Sequence, residues 1–318
     1  GSSSRIAERE NRATVMTSSE PVDVTIDDRT VRLTNLDKVL YPSGFTKAEV
    51  IDYHARISPW IVPHLAGRCI TFRRFPDGTD TEGFFEKRCP EHRPDWVPVA
   101  LGPGDRRGGI EYCRIEEPAA MVWAANLAAI ELHAPMALAA DLATPSAVVF
   151  DFDPGPRTSI VECCRVAVAA REVLDAVGLR GWCKTSGSKG LQLYVPLNTA
   201  GPTHEATADF ALAVGQVLER QLRGEVTTVM AKAERPGKVF VDWSQNSHHK
   251  TTIAPYSLRA RPEPTVSTPV GWTEVEACAA GETDLRFVAA DVLARVGDVG
   301  DLFEPVLVVE QELPVPAR

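Results

Sequence analysis

The sequence has no long apolar run and no paired-cysteine motif. No stretch approaches the ~20 apolar residues that a membrane-spanning helix needs, and the N-terminus lacks the basic-then-apolar pattern of a secretory signal. The 7 cysteines are scattered without a C-x-x-C pair, so the sequence indicates no structural zinc site. We therefore expect a soluble cytoplasmic protein whose thiols are reduced and mostly buried.

An excess of positive charge is also missing, because 34 Lys and Arg residues face 43 Asp and Glu residues, a formal net charge of −9. Proteins that coat DNA without selection are usually basic, so this balance argues against that class. The charge is nevertheless segregated, since residues 232–261 contain six basic residues and two acidic ones. Such a segment is typical either of a solvated surface or of a face that meets phosphates, and both interpretations stay open here.

The centre of the chain predicts mixed secondary structure. SAVVFDFD, LQLYVPL and KVFVDW are short apolar runs typical of strands. Between them, Ser159 and Glu162 form the capping box of one helix, and residues 205–222 form another. Helices that alternate with strands in this way predict an α+β or mixed α/β core.

Local signals near the N-terminus predict two further elements and a loop. Apolar and polar residues alternate around Asp27 and Asp28, which predicts a hairpin. Thr46 and Glu49 have the spacing of a capping box and are expected to begin a helix. Residues 89–109 are rich in Pro, Gly and Arg, so we expect an exposed loop there.

The remaining segments set the expected domain organisation. Residues 1–22 are interpreted as a vector-derived start and a mobile polar tail, and residues 304–318 as a second tail. One domain is expected at 23–300. Its predicted parts are an N-terminal part at 23–135, a catalytic core at 136–262 and a helical part at 263–303.

Two aspartates stand at positions i and i+2 in VVFDFDPGP. In a strand, Asp151 and Asp153 share one face while Phe150 and Phe152 lie on the other. Adjacent carboxylates repel each other unless a cation separates them, which favours a divalent metal. The pattern also fits two solvated acids at the end of a strand, so it does not decide between these interpretations.

A third carboxylate, Asp242, lies in the apolar segment KVFVDWSQN. The alternation places it on the opposite face of the strand from Val239 and Val241. An acid in such a strand is costly to bury without a partner. If this strand neighbours that of Asp151, three carboxylates meet, which is the arrangement of two-metal phosphoryl-transfer sites.

The segment TSGSKGLQLY supplies complementary charge. Residues 186–190 form a loop of small residues around Lys189. Such loops present backbone N–H groups and hydroxyls to phosphate. The spacing is not that of a Walker A motif, and a flexible turn is the alternative interpretation.

Four blocks in order, DFDPG, TSGSKGL, GKVFVDWSQN and KTTIAPYSLR, closely resemble the polymerase domain of bacterial ligase D, a member of the archaeo-eukaryotic primase superfamily. TNLDKVLYPSGFTKAEV and FFEKR extend this resemblance to roughly residues 24–300. The resemblance implies a primase-polymerase catalytic core in which mixed sheets and flanking helices surround an open cleft. It also implies extension or filling of DNA ends, with a preference for ribonucleotides and manganese.

The resemblance assigns roles to individual residues. It implies that Asp151, Asp153 and Asp242 are catalytic and hold two Mn²⁺ or Mg²⁺ ions. The residues expected to bind the nucleotide are His133, Ser186, Ser188, Lys189, Gln192, Gln245, Arg259 and Arg73. The residues expected to contact DNA or the template are Phe84, Phe85, Lys87 and Arg235.

A separate group, Asn35, Lys38 and Lys47, matches residues that grip the 5′-phosphate on the far side of a gap. A 5′-monophosphate carries nearly two charges, which suits two ammonium groups. Lys47 falls in the first turn of a predicted helix, where a cation opposes the helix dipole unless an anion is bound nearby. Two solvated surface lysines are the alternative interpretation.

The chain departs from the family pattern at one position. Relatives usually read G-L-H-L-Y after the loop lysine, whereas this chain has Gln192 in place of the histidine. The Gln192 amide is able to donate to a phosphate oxygen but unable to become cationic. We expect this change to affect catalytic efficiency or nucleotide preference more than the fold.

These features predict a template-directed nucleotidyl transferase that fills short gaps, with DNA and nucleoside triphosphates as partners. The sequence contains no K-x-D-G ligase motif, so a separate ligase is expected to seal the product. Excision repair, as for the stand-alone mycobacterial Prim-PolC type, is favoured over end joining with Ku and a ligase. De novo priming and a non-catalytic module that binds 5′-phosphates or DNA ends stay open as alternatives.

Overall fold

The computed structural model describes residues 20–104 and 108–314, so most of the tail predicted at 1–22 lies outside the described residues. Within these two ranges, no helix is long and apolar enough to cross a membrane. The helices are α1 (Lys47–Leu65), α2 (Pro118–Asn126), α3 (Ile160–Ala176), α4 (His204–Gln221), α5 (Trp272–Ala279), α6 (Ala289–Val299) and α7 (Pro305–Val308). The strands are β1 (Val22–Ile26), β2 (Arg29–Leu33), β3 (Thr71–Arg74), β4 (Phe84–Glu86), β5 (Val99–Gly102), β6 (Ile110–Cys113), β7 (Ala129–Ala134), β8 (Ala137–Leu138), β9 (Asp141–Pro145), β10 (Ala147–Pro154), β11 (Trp182–Thr185), β12 (Leu191–Pro196), β13 (Val226–Thr227), β14 (Val239–Asp242), β15 (Thr252–Ile253) and β16 (Pro269–Val270).

A six-stranded sheet with the order β13-β14-β10-β12-β11-β16 forms the centre of the molecule. β10 pairs antiparallel with β12 on one side and with β14 on the other. Its residues Val148, Phe150 and Phe152 are fully buried in a core that α3 and α4 cover. Because side chains alternate along a strand, Asp151 and Asp153 lie on the opposite face, away from this core.

A second sheet has the order β15-β7-β3-β4. Apolar residues of α1 and α2 pack behind it in a separate core that includes Ile57, Trp123 and Leu132. The two sheets meet where the Tyr194 hydroxyl lies 2.5 Å from the Thr252 hydroxyl. Each sheet is therefore backed by helices on one side, which leaves a cleft between their other faces and confirms the mixed α and β class.

The hairpin and the two helix starts that local sequence signals predict are confirmed. β1 and β2 form an antiparallel hairpin whose turn residue Asp27 has a φ of 50°. Thr46 and Glu49 form the capping box that begins α1, and Ser159 and Glu162 form the one that begins α3. In both boxes the side chains accept backbone N–H groups that no helical carbonyl reaches.

The exposed loop predicted at residues 89–109 is interrupted by one strand, β5, and the rest of its described part has no helix or strand. β5 and β6 form an antiparallel hairpin here, and the only part outside the described residues is 105–107. The Cys89 N–H donates to the Glu111 carbonyl at 2.8 Å, which holds Cys89 beside Cys113. These two cysteines form a disulfide, so the prediction of reduced thiols fails for this pair. The free buried cysteines are Cys69, Cys163, Cys164, Cys183 and Cys278.

The predicted C-terminal tail at 304–318 is packed rather than extended over its described part. It contains α7, and Val306 joins Phe303 and Tyr194 in a third small core. The Gln311 N–H donates to the Leu197 carbonyl at 2.9 Å, which fastens the segment beside β12. Residues 315–318 lie outside the described residues.

Asn246 occupies the place of a pairing strand beside the N-terminal half of β10. Its buried Oδ1 accepts the Val149 N–H at 2.8 Å, and its Nδ2 donates to the Val149 carbonyl at 2.8 Å. Nδ2 also donates to the Trp243 carbonyl at 2.9 Å. One side chain thus satisfies both backbone groups of Val149, which have no water available to them.

We expect Asn246→Ala to lower the free energy of unfolding by about 2–4 kcal/mol, because it leaves two buried backbone groups without partners. Urea denaturation followed by circular dichroism measures this change. Arg223→Ala, at an exposed position after α4, serves as the control and should change little. Equal unfolding midpoints for both variants would contradict the structural role of Asn246.

Candidate active site

Three aspartates share one face of the six-stranded sheet. Asp151 on β10 stands directly opposite Asp242 on β14 in the antiparallel register. Directly paired residues have Cβ atoms about 4.5–5.5 Å apart and project to the same side. Asp153 lies two residues further along β10 and therefore on the same side. The strand pairing brings together three carboxylates that the sequence separates by about ninety residues.

The electrostatics of this group are unfavourable without a counter-charge. Burial raises the pKa of Asp151 from 3.8 to about 7, and the charges of Asp153 and Asp242 add to the shift. Burial also raises the pKa of Asp153, with Asp242 contributing and Arg235 opposing. These shifts mean that the folded protein resists holding all three groups ionised at neutral pH.

Gln192 lies on the other side of Asp151, where β12 pairs with β10. Its side chain is 3% exposed and hydrogen-bonds to the Asp151 carboxyl, which opposes the rise in pKa. The Gln192 Oε1 accepts a hydrogen bond from the buried Lys184 Nζ at 2.5 Å. The structure thus places the Gln192 amide against the Asp151 carboxyl and in the lining of the cleft, and its role as a nucleotide-binding residue stays a prediction.

Lys184 is fully buried beneath this arrangement. Its Nζ also donates to the Ile253 carbonyl at 2.9 Å and to the Ser267 hydroxyl at 2.8 Å. Three acceptors match the three N–H groups of an ammonium. Burial lowers the pKa of Lys184 well below 10.5, while the charge of Asp151 opposes this shift.

The loop at residues 186–190 closes on itself beside the carboxylates. The Ser186 hydroxyl accepts the N–H groups of Ser188 and Gly190 at 3.1 and 3.0 Å. Gly187 has a φ of 71°, and a Cβ there would lie 2.7 Å from Arg259, so the turn requires glycine. Lys189 is exposed at the tip, where its charge is available to a phosphate.

Glu131 connects the predicted nucleotide-binding residues His133, Arg259 and Arg73. It is 1% exposed and accepts from His133 Nε2 at 2.9 Å and Arg259 Nε at 3.1 Å. Arg73 Nη1 lies 3.5 Å from the same carboxylate. Burial alone would raise the pKa of Glu131, but the hydrogen bond from His133 and the charge of Arg259 lower it well below its usual range.

Two aromatic side chains stand over this end of the cleft. Phe84 and Phe85 are 45% and 59% exposed, which is unusual for rings of this size. The Phe85 ring lies 5.6 Å from the His133 ring and 5.2 Å from the Arg73 guanidinium. Exposed rings held in this way are suited to stacking on nucleobases.

The structure brings most of the predicted nucleotide-binding residues into one cleft of about 210 Å³. Its predicted lining residues are His133, Asp151, Asp153, Ser186, Ser188, Lys189, Gln192, Gln245 and Arg259. Asp242 is adjacent but accepts hydrogen bonds from Ser244 and from Gln245 Nε2. Arg235 stands off the cleft, where its Nη2 donates to the Met230 carbonyl at 2.7 Å and its guanidinium packs on Phe240.

The predicted 5′-phosphate residues also lie together, in a separate place. The Lys47 N–H donates to the Lys38 carbonyl at 2.8 Å, and the Lys38 N–H to the Asn35 carbonyl at 3.0 Å. Burial lowers the pKa of Lys47 from 10.5 to about 8, with the charges of Lys38 and Arg74 adding to the shift. Lys38 Nζ is paired with Asp77 at 3.2 Å, and a bound anion would relieve the crowding of like charges further.

The carboxylates fit a divalent cation by their chemistry and charge. Carboxylate oxygens are the hard ligands that Mg²⁺ and Mn²⁺ prefer, and a cation would offset the repulsion that raises the pKa of Asp151. In the described part of the chain, however, no three acidic, histidine or cysteine side chains are gathered as a ready ligand set. Asp242 would have to turn from Ser244 and Gln245 to join the other two.

Sequence reasoning missed Glu131 and Lys184. Glu131 stands two residues before His133 in ELHAP and thus on the same face of its strand, a signal that was present in the sequence. Lys184 carries no comparable signal, because a lysine in an apolar strand is read as solvated until the fold shows that it is buried.

Known proteins resemble both the sequence and this geometry. A family model described as LigD, primase-polymerase domain, matches residues 46–303. The multifunctional non-homologous end joining protein LigD of Mycolicibacterium smegmatis is 42% identical over 279 residues, which are 86% of this chain and 36% of that protein. The bifunctional non-homologous end joining protein LigD of Bacillus subtilis is 30% identical over 289 residues, or 91% of this chain and 45% of that one. The chain thus spans less than half of the length of these relatives.

A solved structure shows the same architecture. The polymerase domain from Mycobacterium tuberculosis ligase D in complex with DNA matches with a TM-score of 0.80 and 40% sequence identity. The match covers 87% of this chain and 98% of that one. With a family model that covers most of its length and a solved domain of the same fold, this chain belongs to the LigD primase-polymerase domain family, a family of nucleotidyltransferases.

Proposed function

We propose that this chain is a template-directed nucleotidyl transferase that fills short gaps in DNA beside a downstream 5′-phosphate. The proposal is carried by the register that sets Asp151 opposite Asp242 in the same cleft as the loop at 186–190. A preference for ribonucleotides and a cytoplasmic location at the nucleoid belong to the same proposal. They are supported by the family resemblance of the motifs.

Asp151, Asp153 and Asp242 would hold one or two divalent cations, Mn²⁺ or Mg²⁺. When bound, such ions neutralise the charge of a triphosphate and favour the ionised form of a 3′-hydroxyl. The carboxylate of Asp151 is kept in place by the Gln192 amide. The residues of the chain therefore supply both the ligands and the support that orients them.

The reaction joins a 3′-hydroxyl to the α-phosphorus of a nucleoside triphosphate. The hydroxyl oxygen forms the new P–O bond, the bond between the α-phosphorus and the bridging oxygen breaks, pyrophosphate leaves, and the hydroxyl proton passes to water. Lys189 and Arg259 would bind the phosphates, with Ser186 and Ser188 in the same loop. Glu131 holds His133 and Arg259 in fixed positions, which lowers the entropic cost of orienting the nucleotide.

Lys38, Lys47 and Asn35 would hold the 5′-phosphate of the strand beyond the gap. The partly buried Lys47 ammonium has few water molecules to lose, so a phosphate gains more from it than from a solvated lysine. Phe84 and Phe85 would stack on a template or nucleotide base, Lys87 would contact the DNA, and Arg235 would steer a template strand. A fixed distance between two phosphate sites favours gaps of one length.

End joining is the second candidate function. It is favoured by the names of the relatives, which describe non-homologous end joining proteins. In that role the chain would act with Ku and a ligase at broken ends, using the same site chemistry. Extension across two annealed 3′ overhangs, compared with extension in a gapped duplex, separates the two roles by their relative rates.

We expect wild-type protein with Mn²⁺ to extend a primer in a gapped duplex that carries a 5′-phosphate, and to use UTP in preference to dTTP. Asp151→Asn and Asp242→Asn should each lower the extension rate at least about 100-fold, because each removes a charged ligand. Gel-resolved product formation measures the rate. Asp175→Asn, on the exposed end of α3, is the control and should retain full activity.

Absence of extension by wild type, with binding to the gapped duplex intact, would favour a non-catalytic 5′-phosphate-binding module instead. Extension by Asp151→Asn at the rate of the control would contradict the assignment of the carboxylates.

Without metal, Asp151→Asn should make the protein more stable at pH 8 by at least about 1 kcal/mol. The folded pKa of Asp151 is raised to about 7 from 3.8, so its ionisation costs stability as pH rises through that window. Asparagine does not ionise, and the advantage should vanish near pH 4. Urea unfolding at both pH values measures it, and Mn²⁺ should stabilise wild type more than the variant. A difference between the two proteins that does not vary with pH would contradict this account.

The preference for a 5′-phosphate over a 5′-hydroxyl should fall as pH rises above about 8. Lys47 is charged below its lowered pKa of about 8 and neutral above it, so the attraction for the phosphate is lost in that direction. Fluorescence anisotropy with both duplexes between pH 7 and pH 9.5 measures the ratio of affinities. Lys47→Arg keeps its charge over this range and should give a flat ratio. A wild-type ratio that is equally flat would contradict the role of Lys47.

A further inference from the structure

A second cavity, of about 280 Å³, adjoins the catalytic cleft, and Thr251 lines both. Five basic side chains surround it, and we refer to the cavity as the histidine pocket after three of them. These residues are Lys87, His204, His248, His249 and Lys250. Among the described residues that line the pocket there is no Asp or Glu, whereas the catalytic cleft contains two aspartates. The pocket is therefore suited to an anionic group.

The histidine pocket and the phosphate-facing loop flank Asp151 from opposite ends of β10. At one end, Gly190 of the loop lies so close to the Phe152 carbonyl that a Cβ there would be 2.3 Å away. At the other end, Asn246 hydrogen-bonds to both backbone groups of Val149. The His204 ring nitrogens lie 3.2 Å from the Asn246 carbonyl and 2.9 Å from the Leu142 carbonyl. Along β10, the histidine pocket thus comes first, the Asp151 carboxylate second and the loop at 186–190 third.

The three histidine rings line one wall of the pocket and contact one another. The His248 ring lies 5.1 Å from the His204 ring and 5.0 Å from the His249 ring, in edge-to-face arrangements. Burial lowers the pKa of His248, and the two neighbouring imidazoles add to the shift. The His248 and His249 rings therefore offer N–H groups and flat surfaces to a ligand, while Lys87 and Lys250 provide the positive charge.

The geometry of in-line transfer indicates which substrate group lies on the side of the carboxylates opposite to the triphosphate. The attacking oxygen approaches the α-phosphorus from the side opposite to the leaving pyrophosphate. If Lys189 and Arg259 bind the triphosphate, as in the proposed function, the nucleotide that bears the 3′-hydroxyl lies toward Thr251 and the histidine pocket. That nucleotide carries a phosphate on its 5′ side, about one sugar away from the hydroxyl.

We propose that the histidine pocket is the acceptor-nucleotide site, in which His248, His249 and Lys250 hold the phosphate 5′ to the attacking nucleotide. This inference rests on the proposed function. The same ligand chemistry has two sources, namely the last nucleotide of a primer strand and a free nucleoside triphosphate that starts a new chain. The apolar part of the pocket, which includes Tyr112 and Pro135, would contact the acceptor sugar or base.

The test combines a variant of the pocket with a variant of the ligand. The pocket variant, His249→Ala with Lys250→Ala, lacks two of the basic side chains that line the pocket. The control variant, Arg220→Ala with Arg223→Ala, lacks more formal charge, but from an exposed surface outside both cavities. The ligand is a gapped duplex whose last primer linkage is either a phosphodiester or an uncharged methylphosphonate. A second methylphosphonate duplex carries the change four linkages upstream. Anisotropy gives the dissociation constant without catalysis, and extension assays give the KM for the incoming nucleotide.

We expect the pocket variant to raise the dissociation constant of the phosphodiester duplex about tenfold, the loss typical of one charge-assisted hydrogen bond. The control variant should change it by less than about twofold, and the KM for UTP should not change. In wild type, the terminal methylphosphonate should cost the same factor as the pocket variant does, and the upstream one should cost less. In the pocket variant, the terminal methylphosphonate should add almost nothing, because its contact is already lost.

If the pocket variant and the terminal methylphosphonate each raise the dissociation constant by their full factor when they are combined, the assignment is overturned. A rise in the pocket variant that is no larger than the rise in the control variant would overturn it as well. Dinucleotide synthesis from free nucleotides on a single-stranded template distinguishes the two sources. A defect of the pocket variant in primer extension alone assigns the pocket to a strand end, and a defect in dinucleotide synthesis alone assigns it to an initiating nucleotide. If wild type extends primers and only the pocket prediction fails, the proposed function stands. If wild type extends nothing, both fail.

Discussion

The antiparallel register of β10 with its two neighbours is the constraint on which the rest of the site depends. It sets Asp242 opposite Asp151 on one side and Gln192 opposite Asp151 on the other. Phe150 and Phe152 fix this register, because both are fully buried on the reverse face of β10. A slip of one residue would place the aspartates in the core and the rings in the cleft, which no compensating contact would offset. The apolar face of the strand therefore specifies the position of the carboxylates on its other face.

Asp151, which lines the cleft, and Glu131, which lies beneath its lining residues His133 and Arg259, have opposite electrostatic surroundings. Glu131 is surrounded by donors, namely His133, Arg259 and the Ala260 N–H, and its pKa is lowered despite its burial. Asp151 has acids on two sides, and the Gln192 amide beside it does not outweigh them. Glu131 is thus a satisfied structural anion that orients cationic side chains. Asp151 lies among like charges, and a bound divalent cation would offset its repulsion from Asp153 and Asp242.

Much of the fold could be predicted from the sequence because the relevant signals are local. The hairpin at Asp27, the capping boxes at Thr46 and Ser159, and the shared face of Asp151 and Asp153 each depend on a few neighbouring residues. The pairing of β10 with β14 depends on contacts about ninety residues apart, and no local pattern encodes it.

The errors in the predictions have the same cause. Cys89 and Cys113 are joined because a backbone hydrogen bond to Glu111 folds one segment onto the β6 strand, which cysteine spacing does not reveal. The burial of Gln192 and its contacts with Asp151 and Lys184 likewise depend on the neighbouring strands, which the local sequence does not reveal.

Hydrogen bonds connect the residues of the proposed 5′-phosphate site to those of the proposed nucleotide site. The Tyr41 hydroxyl, three residues from Lys38, donates to the Arg259 carbonyl at 2.9 Å and is almost fully buried. The Ser43 N–H donates to the Pro262 carbonyl at 3.1 Å. Arg259 in turn is held by Glu131. A displacement of the loop that carries Lys38 would therefore be transmitted to Arg259 through the buried Tyr41 side chain. In the proposed function, this connection would give the two phosphate sites a fixed separation, which would select gap length without any contact to the bases.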